Sequence, residues 1–271
     1  MRVIVHLSDL HFGRVDPETL EPLRERVGKL APHLVVVSGD LTQRAKPEQF
    51  RAAKRFLDSL PKPQVVVPGN HDVPLYNVFQ RAFSPLGKYK RLVDANPEPE
   101  FIDAEIAVIG INTARSMVWK HGRINAAQIA KVRSRICDLH ERVTKIVVTH
   151  HPFDIPESHD ERDLLRRAKA AMRVFAECGA DILLSGHLHK THTTHSAARY
   201  KIPGHSALIV QAGTATSTRG RGEDNSFNAL HITADAANIE RWRWNANSKV
   251  FELGSAERFL HAPDGWHRPR E

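Results

Sequence analysis

Gln64-Val65-Val66-Val67-Pro68-Gly69-Asn70-His71-Asp72 is the stretch on which the reading of this chain turns. Consecutive valines suit a buried strand, and the proline and glycine end it abruptly. An amide, an imidazole and a carboxylate follow, all able to offer lone pairs to a metal ion. The same form recurs along the chain. Val3-Ile4-Val5 precedes Asp9-Leu10-His11, and Leu34-Val35-Val36-Val37 precedes Gly39-Asp40. Ile146-Val147-Val148 precedes His150-His151, and Ile182-Leu183-Leu184 precedes Gly186-His187-Leu188-His189. Continuous apolar runs mark strands buried on both faces, and the carboxyl ends of such strands are where open α/β sheets bind ligands. Donors at five such ends predict one crevice with ligands for two metal ions, and so a metal-dependent hydrolase.

The segments between the runs support this. Leu20, Leu23, Val27 and Leu30 share a helical face, with Pro17 and Glu18 in a first turn and Pro32 as a stop. Phe50, Ala53, Leu57 and Leu60 share another, over residues 47–60. The resulting β-α-β-α-β order predicts parallel strands with right-handed crossovers. Residues 74–99 mix helix and loop without a clear period and read as a cap or loop insertion over the crevice. Residues 101–103 and 106–111 read as a hairpin. Helices are expected over 122–137 and 163–178, and strands over 145–149 and 181–185. Residues 207–211, 227–233 and 239–244 read as antiparallel strands, with 214–226 as a loop between them. Residues 1–254 read as one domain and 255–271 as a loose tail. Two strand groups with helices outside place the chain in the α/β class, as a sandwich of two sheets.

At 271 residues, 41% hydrophobic and 26% charged, the chain can bury an ample core. A formal charge of +8 favours anionic partners: nucleotides, nucleic acid or an acidic membrane surface. No extended Lys/Arg and aromatic stripe accompanies it, so nucleic acid is not the favoured partner. The amino terminus does not read as a signal peptide, and no apolar run is long enough to span a bilayer. Trp242, Trp244, Phe251, Phe259, Leu260 and Trp266 leave peripheral membrane contact open, though burial against the sheets is the plainer reading. Cys137 and Cys178 lie in amphipathic stretches without neighbours at zinc spacing. They read as unpaired core residues of a cytoplasmic protein. The oligomeric state is not legible.

Carboxylate, imidazole and amide together suit Mn, Fe or Zn better than Mg or Ca. Asp40 is the natural bridge, because a shared carboxylate offsets the repulsion of two cations about 3.5–4 Å apart. His71 follows a proposed ligand, Asn70, and is placed to protonate a departing alkoxide. His33, His121, His140, His159, His261 and His267 read as surface residues. His151, His192 and His195, close in sequence to proposed ligands, are candidates for substrate contact, as are Arg219 and Arg221.

The order Asp-x-His, Gly-Asp, Gly-Asn-His-Asp, His and Gly-His-x-His over residues 3–189 resembles the calcineurin-like metallophosphoesterase superfamily. That resemblance implies a four-layer αββα sandwich of two mixed β-sheets flanked by helices. It implies one divalent or mixed-valence metal ion on Asp9, His11, Asp40 and His189. It implies a second on Asp40, Asn70, His150 and His187, with His71 as acid or transition-state stabiliser. Residues 6–13, 39–42, 68–72 and 150–152 are most similar to the class III cyclic-nucleotide phosphodiesterases. The implied substrate is a small phosphodiester, first a 3′,5′-cyclic nucleotide. Protein phosphatases of the superfamily have Asp where Gln43 stands and Glu where Asp72 stands, which argues against a phosphoprotein monoesterase. Other readings are a lipid-linked or nucleotide-sugar pyrophosphatase of the UDP-2,3-diacylglucosamine type and then a DNA exonuclease. A non-catalytic interaction module is disfavoured, because every ligand position is intact.

Overall fold

The computed structural model describes residues 1–115, 121–157, 159–219 and 222–269. The amino-terminal half follows the expected alternation: β1 (Arg2–Leu7), α1 (Pro17–Lys29), β2 (Leu34–Val37), α2 (Pro47–Ser59) and β3 (Gln64–Val66). Asp16 caps α1 by accepting from the Glu18 amide, and Pro17 opens the helix. The three strands are parallel, with β1 between β2 and a later antiparallel strand. Two short helices follow, α3 (Val78–Phe83) and α4 (Gly87–Leu92).

A second sheet is built from β4 (Glu100–Ile102), β5 (Ile106–Gly110), β6 (Thr144–Val148) and β7 (Ile182–Ser185), with α5 (Ala126–Ile136) and α6 (Ala168–Glu177) as crossovers. It is completed by β8 (His192–His195), α7 (Ser196–Tyr200) and β9 (Leu208–Gln211). The chain then returns to the first sheet with β10 (Ser226–Ile232), β11 (Ala236–Asn245), β12 (Val250–Ala262) and β13 (Gly265–His267). Strand orders are β13-β12-β11-β10-β1-β2-β3 and β4-β5-β6-β7-β9-β8.

Side-chain alternation explains the layers. Ile4, Val36 and Val65 meet Val108, Ile146, Ile182 and Leu208 between the sheets. Val5, Leu7, Val35 and Val37 face outward onto Leu23 and Val27 of α1 and Phe50 and Leu57 of α2. Val147, Leu183 and Ile209 face outward onto Ile129 and Val132 of α5 and Met172 and Phe175 of α6. Each central strand is therefore covered on both faces, and its apolar run carries no polar alternation. The result is the αββα sandwich.

Four expectations are corrected. Strand β9 runs parallel to β7 and antiparallel only to β8, because a crossover through β8 and α7 reverses the chain before it. Residues beyond 255 are not a loose tail through 267: β12 pairs with β11 along its length, and β13 pairs with β12. Phe259 and Trp266 of these strands are buried in the inter-sheet core. Helix α6 begins at Ala168, later than expected, and Glu161–Asp163 form a separate short turn. Cys137 and Cys178 are not unpaired: they form a disulfide between the carboxyl-terminal caps of α5 and α6. The two helices lie side by side on one sheet face, which no local pattern 41 residues apart reveals. The disulfide removes the ground on which a cytoplasmic location was expected.

Candidate metal centre

The carboxyl ends of β1, β2, β3, β6 and β7 deliver donor side chains to one crevice. Nε2 of His11 lies 3.5 Å from Oδ1 of Asp9 and 3.1 Å from Nε2 of His189. Nε2 of His189 is 3.2 Å from the same Asp9 oxygen. Beside them, Oδ1 of Asn70 is 3.0 Å from Nε2 of His150 and 3.1 Å from Nδ1 of His187. Asp40 stands between the two groups. Its Oδ2 is 3.8 Å from His11 Nε2, and its Oδ1 is 3.4 Å from His150 Nε2.

The second ring nitrogens show which atoms are bare. His150 Nδ1 donates to the Ser38 carbonyl at 2.7 Å, and His189 Nδ1 donates to the Arg219 carbonyl at 3.2 Å. Once neutral, rings held so would turn an Nε2 lone pair into the crevice. Oδ2 of Asp9 accepts from Ser8 Oγ at 2.7 Å and from the His187 amide at 3.0 Å. Its Oδ1 is buried without a hydrogen-bond partner and faces the two imidazoles. Lone pairs and an orphaned carboxylate oxygen gathered among buried side chains fit cations of the Mn, Fe or Zn kind.

The backbone is strained where these donors sit. Asp9, His11, Asp40, His187 and His189 have φ of 53°, 49°, 52°, 74° and 57°. Residues other than glycine seldom adopt such values, and they concentrate at functional sites. Gly39, which turns the chain out of β2, has a positive φ of 96°. Gly69 acts differently: a Cβ there would stand 2.1 Å from Asp40 Oδ1.

Charge is distributed unevenly. Burial disfavours ionised Asp9 and Asp40, yet the surrounding imidazoles hold both carboxyls below the usual range. Burial also opposes the charge on His150, but the Asp40 carboxylate raises its imidazole to about 9. Burial and the charge of His150 push His187 down to about 3. Asp72 is buried, and burial together with Asp40 pushes its carboxyl up to about 7. Against this, it accepts from the amides of Leu41, Thr42 and Gly69 and from Thr42 Oγ1, at 2.9–3.1 Å. Four donors favour the ionised form, and cations on Asp40 would remove the like-charge repulsion.

At the edge of the crevice, His71 Nδ1 donates to the Gln43 carbonyl at 2.9 Å. The His71 amide donates to Asp40 Oδ1 at 2.8 Å, which ties the imidazole to the proposed bridge. Nη1 of Arg219 lies 3.1 Å from His71 Nε2 and 3.5 Å from Gln43 Oε1.

The sequence profile of the calcineurin-like phosphoesterases matches residues 2–191. The chain belongs to the calcineurin-like phosphoesterase family. It is a metal-dependent phosphoester hydrolase, from a family built around a dinuclear metal centre. It is 23% identical over 227 residues to the glycerophosphodiester phosphodiesterase GpdQ of Enterobacter lignolyticus, covering 74% of this chain and 79% of that one. It is 28% identical over 262 residues to a cAMP/cGMP dual specificity phosphodiesterase of Mycobacterium tuberculosis, covering 86% and 76%. In fold it is similar to a dimetal phosphatase from Danio rerio, with a TM-score of 0.62 and 14% identity over 89% of this chain and 95% of that one.

Within this calcineurin-like phosphoesterase, the residues expected at the site separate into groups. Asp9, His11, Asp40, Asn70, His150, His187 and His189 converge, with His71 beside them. Arg219 reaches the site through His71. His151 is fully buried against it: its Nδ1 is 2.8 Å from Thr113 Oγ1, its ring packs 4.6 Å from that of His187, and it offers a donor atom within 4.8 Å of those of His150 and His187. His192 lies 3.3 Å from Asp154, in the loop after His151. His195 is not brought to the site. It pairs with Leu208 at the far end of β9 and packs on Phe259 and His267. Arg221 lies outside the described residues. Sequence reasoning missed the positioning role of Asp72, although its motif was in view. It also missed Thr214 and Thr216, whose hydroxyls donate to the carbonyls of Asp9 and Leu10 at 2.7 and 2.8 Å. Nothing in residues 214–226 signalled that contact beyond their hydroxyl content. Of the six residues considered for membrane contact, Trp244, Phe251, Phe259 and Trp266 are buried, Trp242 is half-buried and Leu260 is exposed, so a contact through the four buried ones is not supported.

Proposed function

We propose that this phosphoesterase hydrolyses small phosphodiesters, with 3′,5′-cyclic nucleotides as the substrate class that suits it best. The observation that carries this reading is a recess of about 230 Å³ beside His71. Arg44, Arg219 and Gln43 line it together with Val73 and Leu75. Guanidinium groups beside an apolar wall suit a ligand that joins a phosphodiester to a flat organic group. The names of the Mycobacterium and Enterobacter relatives support a diester rather than a monoester.

Asp9, His11, Asp40 and His189 would hold one cation, and Asp40, Asn70, His150 and His187 the other. Bound there, the pair supplies Lewis acidity toward a phosphoryl group and lowers the pKa of water. The chain's own groups do the rest. Asp72 holds the Gly39-Asp40 and Gly69-Asn70 loops in register through its four hydrogen bonds. His71 is kept in one orientation by Gln43, with Nε2 toward the recess. A guanidinium can only donate, so Nε2 accepts from Arg219 and carries no proton while that contact lasts. A phosphoryl oxygen entering the recess draws Arg219 away; Nε2 then takes up a proton from solvent and, as the imidazolium, passes it to the leaving alkoxide.

The test is turnover of cyclic AMP, cyclic GMP, glycerophosphodiesters, UDP-diacylglucosamine and single-stranded DNA by Mn-loaded protein. Preference for a cyclic nucleotide supports the reading. Selective cleavage of the pyrophosphate or of DNA overturns it.

A further inference from the structure

Helix α3 is inverted. A helix on the surface of a soluble protein turns its apolar side inward and its charges outward. Here Arg81 is only 8% exposed and donates to the Pro74 carbonyl at 3.3 Å. Val78, Phe79 and Phe83 are 71%, 80% and 86% exposed, and the neighbouring Tyr76 is 78% exposed. Phe79 and Phe83 stand four residues apart, so they share a helix face. Of the other exposed large apolar residues among those described, Met1 and Ile102 stand alone and Val250, Leu253 and Leu260 are spaced along β12, with no exposed aromatic residue among them.

The segment is well attached on its other side. Val73 and Leu86 are buried, and the Tyr89 hydroxyl donates to the Val66 carbonyl at 2.8 Å. Its charge is one-sided. Residues 73–93 contain Arg81, Lys88, Lys90 and Arg91 and no Asp or Glu. Lys90 and Arg91 are exposed, and the exposed Arg44 lies 6.0 Å from the Tyr76 ring. Arg44 also lines the recess beside His71, so the apolar ledge adjoins the mouth of the site.

We propose that Tyr76, Val78, Phe79 and Phe83 dock this enzyme on an anionic phospholipid surface. Aromatic side chains at the level of the headgroups, with Lys and Arg nearby in the chain, are what such a surface binds. A two-fold pairing of copies through the same face would set cationic segments against one another, which disfavours self-association there. The inference does not depend on which phosphodiester is cut.

Sedimentation with vesicles tests it. Wild-type protein is expected to pellet with vesicles of equal parts phosphatidylcholine and phosphatidylglycerol, and to be released by high salt. The double variant Phe79→Ser/Phe83→Ser should bind them about tenfold or more weakly, with its melting temperature and its turnover of bis(p-nitrophenyl) phosphate unchanged. Asp40→Ala should bind vesicles as wild type does, so a failure of the catalytic reading stays separate from a failure of this one. The proposal is overturned if wild-type protein ignores these vesicles, or if the double variant binds them equally well. It is also overturned if sedimentation velocity finds a dimer that the double variant dissolves.

Discussion

Nη1 of Arg219 stands 3.1 Å from Nε2 of His71 and donates to the ring nitrogen that Gln43 leaves bare. Gln43 carries no charge with which to hold an imidazolium, so its carbonyl fixes only the orientation of the ring. The guanidinium sets when the other nitrogen is available. Arg219→Ala is expected to lower kcat/KM for a phosphodiester about 10²-fold while metal content stays the same. Arg219→Lys should recover little, because a point charge does not reproduce the planar donor fork. Steady-state kinetics beside elemental analysis check this, and unchanged kinetics in the Ala variant would refute it.

Asp40 and His71 separate binding from chemistry. Asp40 turns one oxygen toward each cluster, so Asp40→Ala should lose binuclear metal content and activity together. His71→Ala should keep its metals and lose about 10²–10⁴-fold in kcat. Metal stoichiometry after loading and dialysis distinguishes the two. Loss of both metals from His71→Ala would mean that its assigned role is wrong.

The site predicts a pH dependence. In the metal-free protein, burial opposes a charged His150, but Asp40 raises its pKa from 6.5 to about 9. A pKa raised on folding stabilises the fold fully below the unfolded value, and the benefit is lost as pH rises through the folded value. Chelator-treated protein should therefore lose this contribution to stability between pH 6.5 and about 9. Cation affinity moves the opposite way, because Nε2 must be bare to bind: it should rise about tenfold per pH unit across that window. Thermal melts and Mn²⁺ titrations over the pH series measure both, and a flat affinity would contradict the assignment of His150 as a ligand.

Asp72 predicts a stability effect. Asp72→Ala strands three buried amides, those of Leu41, Thr42 and Gly69, together with the Thr42 hydroxyl. A loss of about 3–5 kcal/mol is expected in denaturant unfolding, with weakened metal binding because the Asp40 and Asn70 loops lose their tie. A change below about 1 kcal/mol would mean that water replaces the carboxylate there.

Much of the site was legible because its signals are local. Each group of donor side chains sits within a few residues of the end of an apolar run, and strand ends converge in an α/β sheet. Histidines placed beyond those ends were harder to assign. His192 and His195 are three residues apart, yet β8 carries one toward the site end of β9 and the other away from it. Register decides that, and register depends on the pairing partner.

By itself, the order of residues determined which donor side chains would converge, the parallel core strands and the two-sheet sandwich. Short apolar runs and the donors that follow them need no distant partner to be recognised. Contacts across long stretches of chain were decided by the tertiary structure alone. Arg219 meets His71 across 148 residues, Cys137 bonds to Cys178 across 41, and β12 and β13 bring Phe259 and Trp266 into the core. Such contacts come from the packing of finished elements, and no property of either partner's immediate neighbours encodes which surface it will meet.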